Sequence, residues 1–212
     1  VMTGNTITDS NGNVISATPS WKGGVNTNRP VQKVSWNDIQ VFLDRLNTQQ
    51  KELLPEGWAY DLATHDEWVH AYRAGSTTDY YWGNTLTPAN ANYAWDGDIR
   101  TGNDHNSPIT VGSYAPNDWG LYDMAGNVSE FTKDDHSLGG KIYVGGDFVD
   151  SGSSTLKALH VSRYPQHKKR LDIGFRLALK KSDSNVTDFN DLLKITAANE
   201  DNKSTLNLRD FN

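Results

Sequence analysis

The sequence predicts a loop-rich α+β fold with two helices and short antiparallel strands. The 212 residues include seven Trp, nine Tyr and eighteen Gly, yet only two segments repeat apolar residues at helical spacing. Large rings can fill a core between irregular segments, and Gly supplies backbone angles that other residues avoid. This length and pattern indicate one large domain, or one domain with a tail.

The N-terminal residues 1–29 are expected to form an arm or a hairpin. Residues 9–13 (DSNGN) are typical of a turn, and short strand-like pieces flank them at residues 5–8 and 14–17. Trp21 would anchor this arm on the domain that follows.

The first predicted helix covers residues 36–52. Ser35 is its expected N-cap, and Asp38 stands three residues later, where its side chain can bond a first-turn amide. Pro55 and Gly57 end the helix. The apolar residues that recur at helical spacing, and so form one buried face, are Ile39, Phe42, Leu43 and Leu46.

The second predicted helix follows a short strand at residues 58–62. Thr64 caps this helix, with Glu67 at the capping-box position, and Gly75 suits the residue just beyond its C-terminus. Its buried face consists of Trp68, Ala71 and Tyr72.

Two further strands are predicted at residues 141–144 and 173–179, the second because apolar residues alternate along it. Beyond residue 181 the chain becomes polar and poor in aromatic residues. We therefore expect a main domain at residues 30–181 and a C-terminal tail or small appended element at residues 182–212.

The composition excludes several classes of function. Lys and Arg number 20 against 26 Asp and Glu, a net charge of −6, and no basic run exceeds residues 168–170, so no nucleic-acid partner is expected. No apolar run approaches the roughly 18 residues of a membrane span, and no signal peptide is recognised after Val1. The chain has no cysteine, which excludes disulfides, thiolate metal sites and cysteine nucleophiles.

Residues 117–131 (NDWGLYDMAGNVSEF) form the most unusual stretch of the chain. They combine three aromatic residues, two Gly, two Asn, two Asp and one Glu. This composition is typical of a compact loop that turns carbonyl and carboxylate oxygens toward one point.

Five motifs in a fixed order resemble the formylglycine-generating enzyme, or sulfatase-modifying factor, family. The motifs are residues 30–38 (PVQKVSWND), 62–68 (LATHDEW), 117–131, 145–148 (GGDF) and 174–178 (GFRLA). The resemblance covers about residues 30–180 and implies a C-type-lectin-like fold of the formylglycine-generating-enzyme type. The sequence departs from the family pattern at Asp61, Ala63 and Ser129, where family members usually have Arg, Pro and Trp.

The family's oxidase members carry two cysteines in a Cys-x4-Cys arrangement after a Gly-Gly pair. Counted without gaps from Gly145 and Gly146, those positions are Asp150 and Thr155. Neither side chain binds Cu(I) as a thiolate does, so no copper is expected. The iron-binding histidine module of the ergothioneine-synthase relatives is also missing from the sequence. The resemblance therefore implies a domain without the oxidase activity, and we expect it not to be an enzyme.

In the family, the Gly-Asn-Val/Ala-x-Glu loop holds a structural Ca²⁺, and hard oxygen ligands suit that ion. Carried over to this chain, the ligands would be the side chains of Asp123 and Glu130 and the carbonyls of Gly126 and Val128. The alternative is a loop in which the two carboxylates accept backbone N–H bonds. A second family Ca²⁺ site would fall at Asn92, the Tyr93 carbonyl and one of Asp98 or Asp104.

The irregular segment at residues 147–172, which we call the recognition segment, is the predicted binding surface. Mixed polar, aromatic and cationic side chains suit recognition of a protein or glycan ligand. The candidate ligand-binding residues are Asp147, Asp150, Ser153, His160, Arg163, Tyr164, His167 and Lys168. Arg176, by contrast, is expected to form a structural ion pair.

The favoured function is a non-catalytic ligand-binding protein on a Ca²⁺-stabilised scaffold, located outside the cell or on a bacterial cell surface. Some members of this fold are variable proteins of diversity-generating retroelements, diversified just before the Gly-Phe-Arg strand, where the recognition segment lies. One alternative is an assembly component of a cell-surface complex that docks through residues 182–212. Another is an enzyme with non-cysteine chemistry at His160, His167, Asp150 and Glu130.

Overall fold

The computed structural model describes residues 28–94, 107–150 and 154–181, together with the backbone of two short N-terminal strands. These strands, β1 (Ile7–Thr8) and β2 (Val14–Ile15), pair antiparallel, so the expected hairpin is present. The predictions for Trp21, Asp98, Asp104, Ser153 and the tail at residues 182–212 lie outside the described residues.

Both predicted helices are present, and each is capped as the sequence indicated. Helix α1 (Trp36–Gln50) starts at Ser35, whose side chain accepts from the Asp38 N–H while Asp38 accepts from the Ser35 N–H. It buries Ile39, Leu43 and Leu46 and ends two residues earlier than predicted. Helix α2 (His65–Arg73) has the corresponding reciprocal pair at Thr64 and Glu67, so local capping fixes both helix starts.

Six further strands form two sheets. The strands are β3 (Trp58–Leu62), β4 (Ser129–Asp135), β5 (Lys141–Val144), β6 (Ser162–Tyr164), β7 (Ile173–Phe175) and β8 (Leu177–Lys181). The larger sheet has the order β6-β5-β4-β7, and the smaller one pairs β3 with β8. The expectation of antiparallel pairing is wrong for β4 and β7, which run parallel.

The strand predicted at residues 173–179 is divided at Arg176. Ile173–Phe175 pairs with β4, whereas Leu177–Lys181 pairs with β3. The sequence alternation continues through both strands, so it cannot show that they belong to different sheets. Strands β4 and β6 lie in segments that the sequence indicated as loop or irregular structure.

Large side chains fill two clusters of the core, as the aromatic content predicted. One cluster contains Trp68, Tyr72, Tyr80, Met124 and Leu156, and the other contains Ile39, Leu43, Leu62, Phe131 and Ile173. Among the described residues, neither helix is long and apolar enough to cross a bilayer.

Candidate functional site

The loop at residues 117–128 is fixed to the end of α2 by the side chain of Asn117. Its Nδ2 donates to the carbonyl of Ala71 at 2.7 Å and to that of Tyr72 at 3.2 Å. Its Oδ1 accepts from the backbone N–H groups of Trp119 and Leu121. One buried amide thus orders the first turn of the loop and joins it to the core.

The second half of the loop approaches the backbone of Asn92 closely. Gly126 has φ +77°, and a Cβ there would lie 2.5 Å from the Asn92 carbonyl oxygen. The Asn127 N–H donates to that same oxygen at 2.8 Å, and the Asn127 Oδ1 accepts from the Ile109 N–H at 2.9 Å. The glycine is therefore required by space as well as by its positive φ.

Glu130 lies at the centre of a buried polar cluster at the start of β4. The Glu130 side chain is only 8% exposed. Its Oε2 accepts from the Trp68 indole N–H at 2.7 Å and from the Arg176 Nε at 3.0 Å, and its Oε1 accepts from the Arg176 Nη2 at 2.8 Å. The ion pair predicted for Arg176 is thereby confirmed.

Asp123 lies beside this cluster and is only partly satisfied. Its Oδ2 accepts from the Gly112 N–H at 2.7 Å, but its Oδ1 is buried and makes no hydrogen bond. Burial raises the pKa of Asp123, and the Gly112 N–H and the charge of Arg176 oppose that rise. Asp123 is thus a carboxylate held in a poorly solvated position.

Of the two carboxylates predicted to bind Ca²⁺, that of Glu130 is already engaged in this arrangement. Glu130 already neutralises a guanidinium, and a Ca²⁺ at its oxygens would have to approach that cation. Asp123 Oδ1 is the one carboxylate oxygen of the pair without a partner. Calcium stays a prediction for this loop.

The residues predicted for a second Ca²⁺ site are only partly described. Asn92 and Tyr93 are both buried. The Asn92 Nδ2 donates to the Ser107 carbonyl at 3.1 Å, so this side chain connects the segment before residues 95–106 to the segment after them. Asp104 lies outside the described residues.

A cavity of about 330 Å³ opens beside Glu130 and Arg176. Its lining is mainly apolar, and its polar groups come from the loop at residues 117–128, from β4 and from the junction of β7 and β8. Its volume lies at the lower end of the range of small-molecule sites, which are likewise mainly apolar with a few convergent polar groups.

The recognition segment does not expose every residue that we predicted for it. Asp147 is only 1% exposed, so its expected place on the surface is wrong. Its Oδ2 accepts from the Ser129 hydroxyl at 3.0 Å, and its Oδ1 accepts from the Val149 N–H at 3.0 Å. The Asp147 carboxylate therefore connects the start of the recognition segment to β4 instead of facing a ligand.

Asp147 belongs to a cluster of three carboxylates. Asp150 Oδ2 accepts from the Asp147 N–H at 3.2 Å, and Asp172 forms a two-bond pair with Arg170. Burial first, then the negative charges of Asp150 and Asp172, raise the pKa of Asp147 to about 7. Burial also raises the pKa of Asp150. The negative charges of the three carboxylates are therefore opposed by a single guanidinium, that of Arg170.

Asp150 and Thr155, the positions implied for the family's cysteines, lie together in the structure. Their side chains form a hydrogen bond that opposes the rise in the pKa of Asp150. The Asp150 carbonyl also accepts from the Ala94 N–H at 3.1 Å. These contacts make the pair part of the loop's own bonding.

Residues 163–169, which we call the basic ridge, are the longest mostly exposed run of the recognition segment. Arg163, His167 and Lys168 are exposed, whereas His160 and Tyr164 are half-buried. Arg163 Nη1 donates to the carbonyls of residues 138 and 139, and the His160 ring lies 3.1 Å from the Ser162 hydroxyl.

The basic ridge is held at its other end by the start of α1. The Asn37 N–H donates to the Gln166 carbonyl at 3.1 Å. Lys169 Nζ lies 2.8 Å from Asp38 Oδ2, the carboxylate that also caps α1. The buried carboxylate of Asp38 thus connects the start of α1 to the basic ridge.

Sequence reasoning missed three contributors to these clusters. They are the Trp68 indole at Glu130, the Ser129 hydroxyl at Asp147, and the Arg170–Asp172 pair. Arg170 and Asp172 could have been suspected, since oppositely charged side chains so close in the sequence can readily meet. Nothing in the sequence signals the other two, because their partners are 62 and 18 residues away.

The comparisons with known proteins agree with this geometry. The profile of the sulfatase-modifying factor enzyme 1-like domain matches residues 5–181. The formylglycine-generating enzyme of Thermomonospora curvata is 36% identical over 115 residues, 50% of this chain and 34% of that protein. A bovine protein called inactive C-alpha-formylglycine-generating enzyme 2 is 29% identical over 163 residues, 70% of this chain and 50% of that protein. This chain thus spans at most half the length of these two relatives.

Among solved structures, Treponema denticola variable protein 1 superposes with a TM-score of 0.62 at 19% identity, covering 85% of this chain and 79% of that one. This similarity concerns the fold, and it confirms the predicted α+β, C-type-lectin-like architecture of the formylglycine-generating-enzyme type. With a family profile that matches residues 5–181, the chain belongs to the sulfatase-modifying factor enzyme 1-like domain family.

Proposed function

We propose that this domain is a non-catalytic ligand-binding member of its family, with the basic ridge as its recognition surface for a protein or a glycan. The observation that supports a non-catalytic role is the absence of cysteine at Asp150 and Thr155. The chain has no cysteine, and these two residues, at the implied cysteine positions, hydrogen bond to each other. The existence of a relative called inactive is consistent with a family member that keeps the fold without the oxidation.

The contacts of the basic ridge support a binding role. The ridge is joined to α1 through Gln166 and Lys169 and to the β4–β5 turn through Arg163. A segment that is already ordered loses less conformational entropy when it binds. Its exposed cations, Arg163 and Lys168, and the exposed imidazole of His167 favour a ligand rich in acidic or hydroxyl groups.

The test compares a ridge variant with a charge-matched control on arrays of defined glycans and defined proteins. The double variant His167→Ser and Lys168→Ser should lose about tenfold or more in binding, because hydrogen bonds to charged groups are individually strong. Lys51→Ser, which removes an exposed lysine at the end of α1, should bind as the wild type does. If the ridge variant keeps both its melting temperature and its full binding, the ridge is not the recognition surface.

A finer form of the proposal is that the recognition segment is diversified by a retroelement. Residues 154–172 end directly before β7, the Gly-Phe-Arg strand, and a protein named as a variable protein shares the fold. A template repeat and a reverse transcriptase gene beside the coding sequence are expected. A neighbourhood with neither would refute this form and leave ligand binding itself standing. A cell-surface location belongs to the same proposal and is checked by protease treatment of intact cells.

A further inference from the structure

The cavity beside Glu130 has the features of a second, separate binding site. Its apolar lining comes from α1, from β7 and β8, and from residues 30–31, 111, 122 and 128. The rings of Phe42 and Phe175 meet edge to face at 5.5 Å. Val111 and Tyr122, at 51% and 46% exposure, lie where the cavity opens. An aromatic or branched apolar group can therefore enter and pack against rings.

Two polar groups of the lining retain open hydrogen-bonding capacity, the Oδ1 of Asp123 and the guanidinium of Arg176. Arg176 Nε and Nη2 are used by Glu130 and by the Tyr122 carbonyl. No described residue accepts from Arg176 Nη1, although the side chain remains 32% exposed. A guanidinium has five N–H donors, so two of them stay available at Nη1.

The charges around the cavity select among ligands that could use this donor. The lining contains two carboxylates, Asp123 and Glu130, against the single guanidinium of Arg176. A carboxylate ligand would meet a guanidinium that is already neutralised and a second acid nearby, which disfavours it. An ammonium ligand would be attracted by Asp123 and Glu130, but it has no acceptor for Nη1 and would have to approach that guanidinium. A neutral carbonyl oxygen satisfies the donor without either cost.

We propose that this cavity binds a small uncharged amide or ketone that carries an aromatic or branched apolar group. The carbonyl oxygen accepts from Arg176 Nη1, and the apolar group packs against Phe42, Phe175 and Val31. The site is independent of the basic ridge, so it goes beyond the ligand-binding role proposed above.

The experiment uses three probes that share one ring: phenylacetamide, phenylacetate and phenethylamine, titrated into the full chain by NMR. Phenylacetamide should saturate with a Kd of about 1 mM or tighter, as a ligand of about ten non-hydrogen atoms allows. The acid should bind about tenfold more weakly because it places a negative charge near Asp123 and Glu130, and the amine because it has no acceptor for Nη1. Equal or tighter binding of either charged probe would overturn the assigned ligand class.

Variants then locate the binding. Val111→Trp fills the opening from a half-exposed position and should weaken phenylacetamide about tenfold or more. Leu53→Trp, a change at an exposed residue beyond the far end of α1, should leave the Kd within about twofold. Both melting temperatures are measured alongside. If Val111→Trp is folded and binds normally, or if the wild type shows no saturation by about 20 mM, the site does not exist.

Discussion

Replacing Glu130 by Gln decides whether this carboxylate is mainly an ion-pair partner or a Ca²⁺ ligand. The substitution keeps the shape of the side chain but removes its charge. Glu130 accepts three hydrogen bonds, two of them from Arg176, and a Gln has only one side-chain oxygen for them. Its amide N–H₂ would face donors of the guanidinium or the indole, so at least one hydrogen bond is lost.

The expected loss of stability follows from burial. Breaking a fully buried ion pair by removing one partner costs about 3–5 kcal/mol. Arg176 is 32% exposed, so water takes up part of its charge, and we expect about 2–3 kcal/mol for Glu130→Gln. In a chain of this size that is a fall in melting temperature of roughly 5–10 °C.

The matched control is Asp79→Asn. This change breaks the Lys157–Asp79 pair, whose side chains are 39% and 49% exposed. An exposed pair contributes little to stability, so the melting temperature of Asp79→Asn should fall much less than that of Glu130→Gln.

Both variants and the wild type are melted with Ca²⁺ and with a chelator. The contacts of Glu130 predict the same large loss for Glu130→Gln in either buffer. A chelator effect that the wild type shows and the variant lacks would make Glu130 a Ca²⁺ ligand and refute the ion-pair reasoning. A loss no larger than that of Asp79→Asn would also contradict it.

Two further predictions concern the acidic cluster and β7. The pKa of Asp147 is raised to about 7, so the native state holds a proton that the unfolded state releases near pH 4. Stability should therefore fall as pH rises from about 4 to 7. The melting temperature should depend less on pH for Asp147→Asn than for the wild type, and an unchanged slope would contradict the assignment. A Cβ at Gly174 would lie 2.1 Å from the Val31 carbonyl oxygen, so Gly174→Ala should cost more than about 3 kcal/mol. Gly120→Ala, with φ +77° but no atom within 4 Å of the added carbon, should cost only about 1–2 kcal/mol by urea denaturation.

The helices could be predicted from the sequence because their signals are local. Ser35 and Thr64 each stand three residues before the acid that completes the cap, and the apolar spacing within each segment fixes its buried face. The turn at Gly126 was likewise visible as a glycine in a polar loop, although the reason for it, the Asn92 carbonyl at 2.5 Å, is a tertiary contact.

Strand β4 and the burial of Asp147 could not be predicted, because distant partners decide them. Ser129, Glu130 and Thr132 are polar, yet all three are buried, and sequence pattern assigns polar residues to the surface. Their bonds go to Asp147, to Arg176 with Trp68, and to the Ile142 carbonyl. A single sequence contains no signal for such pairings.

The two polar clusters are separated by the alternation of β4. Successive side chains of a strand point to opposite faces, and here Ser129 bonds Asp147 while its neighbour Glu130 bonds Arg176. The acidic cluster under the recognition segment and the ion pair beside the cavity therefore share one strand but no side-chain partner. A change at Asp147 can thus leave the ion pair beside the cavity intact, so the binding proposed for the ridge and the binding proposed for the cavity can be tested separately.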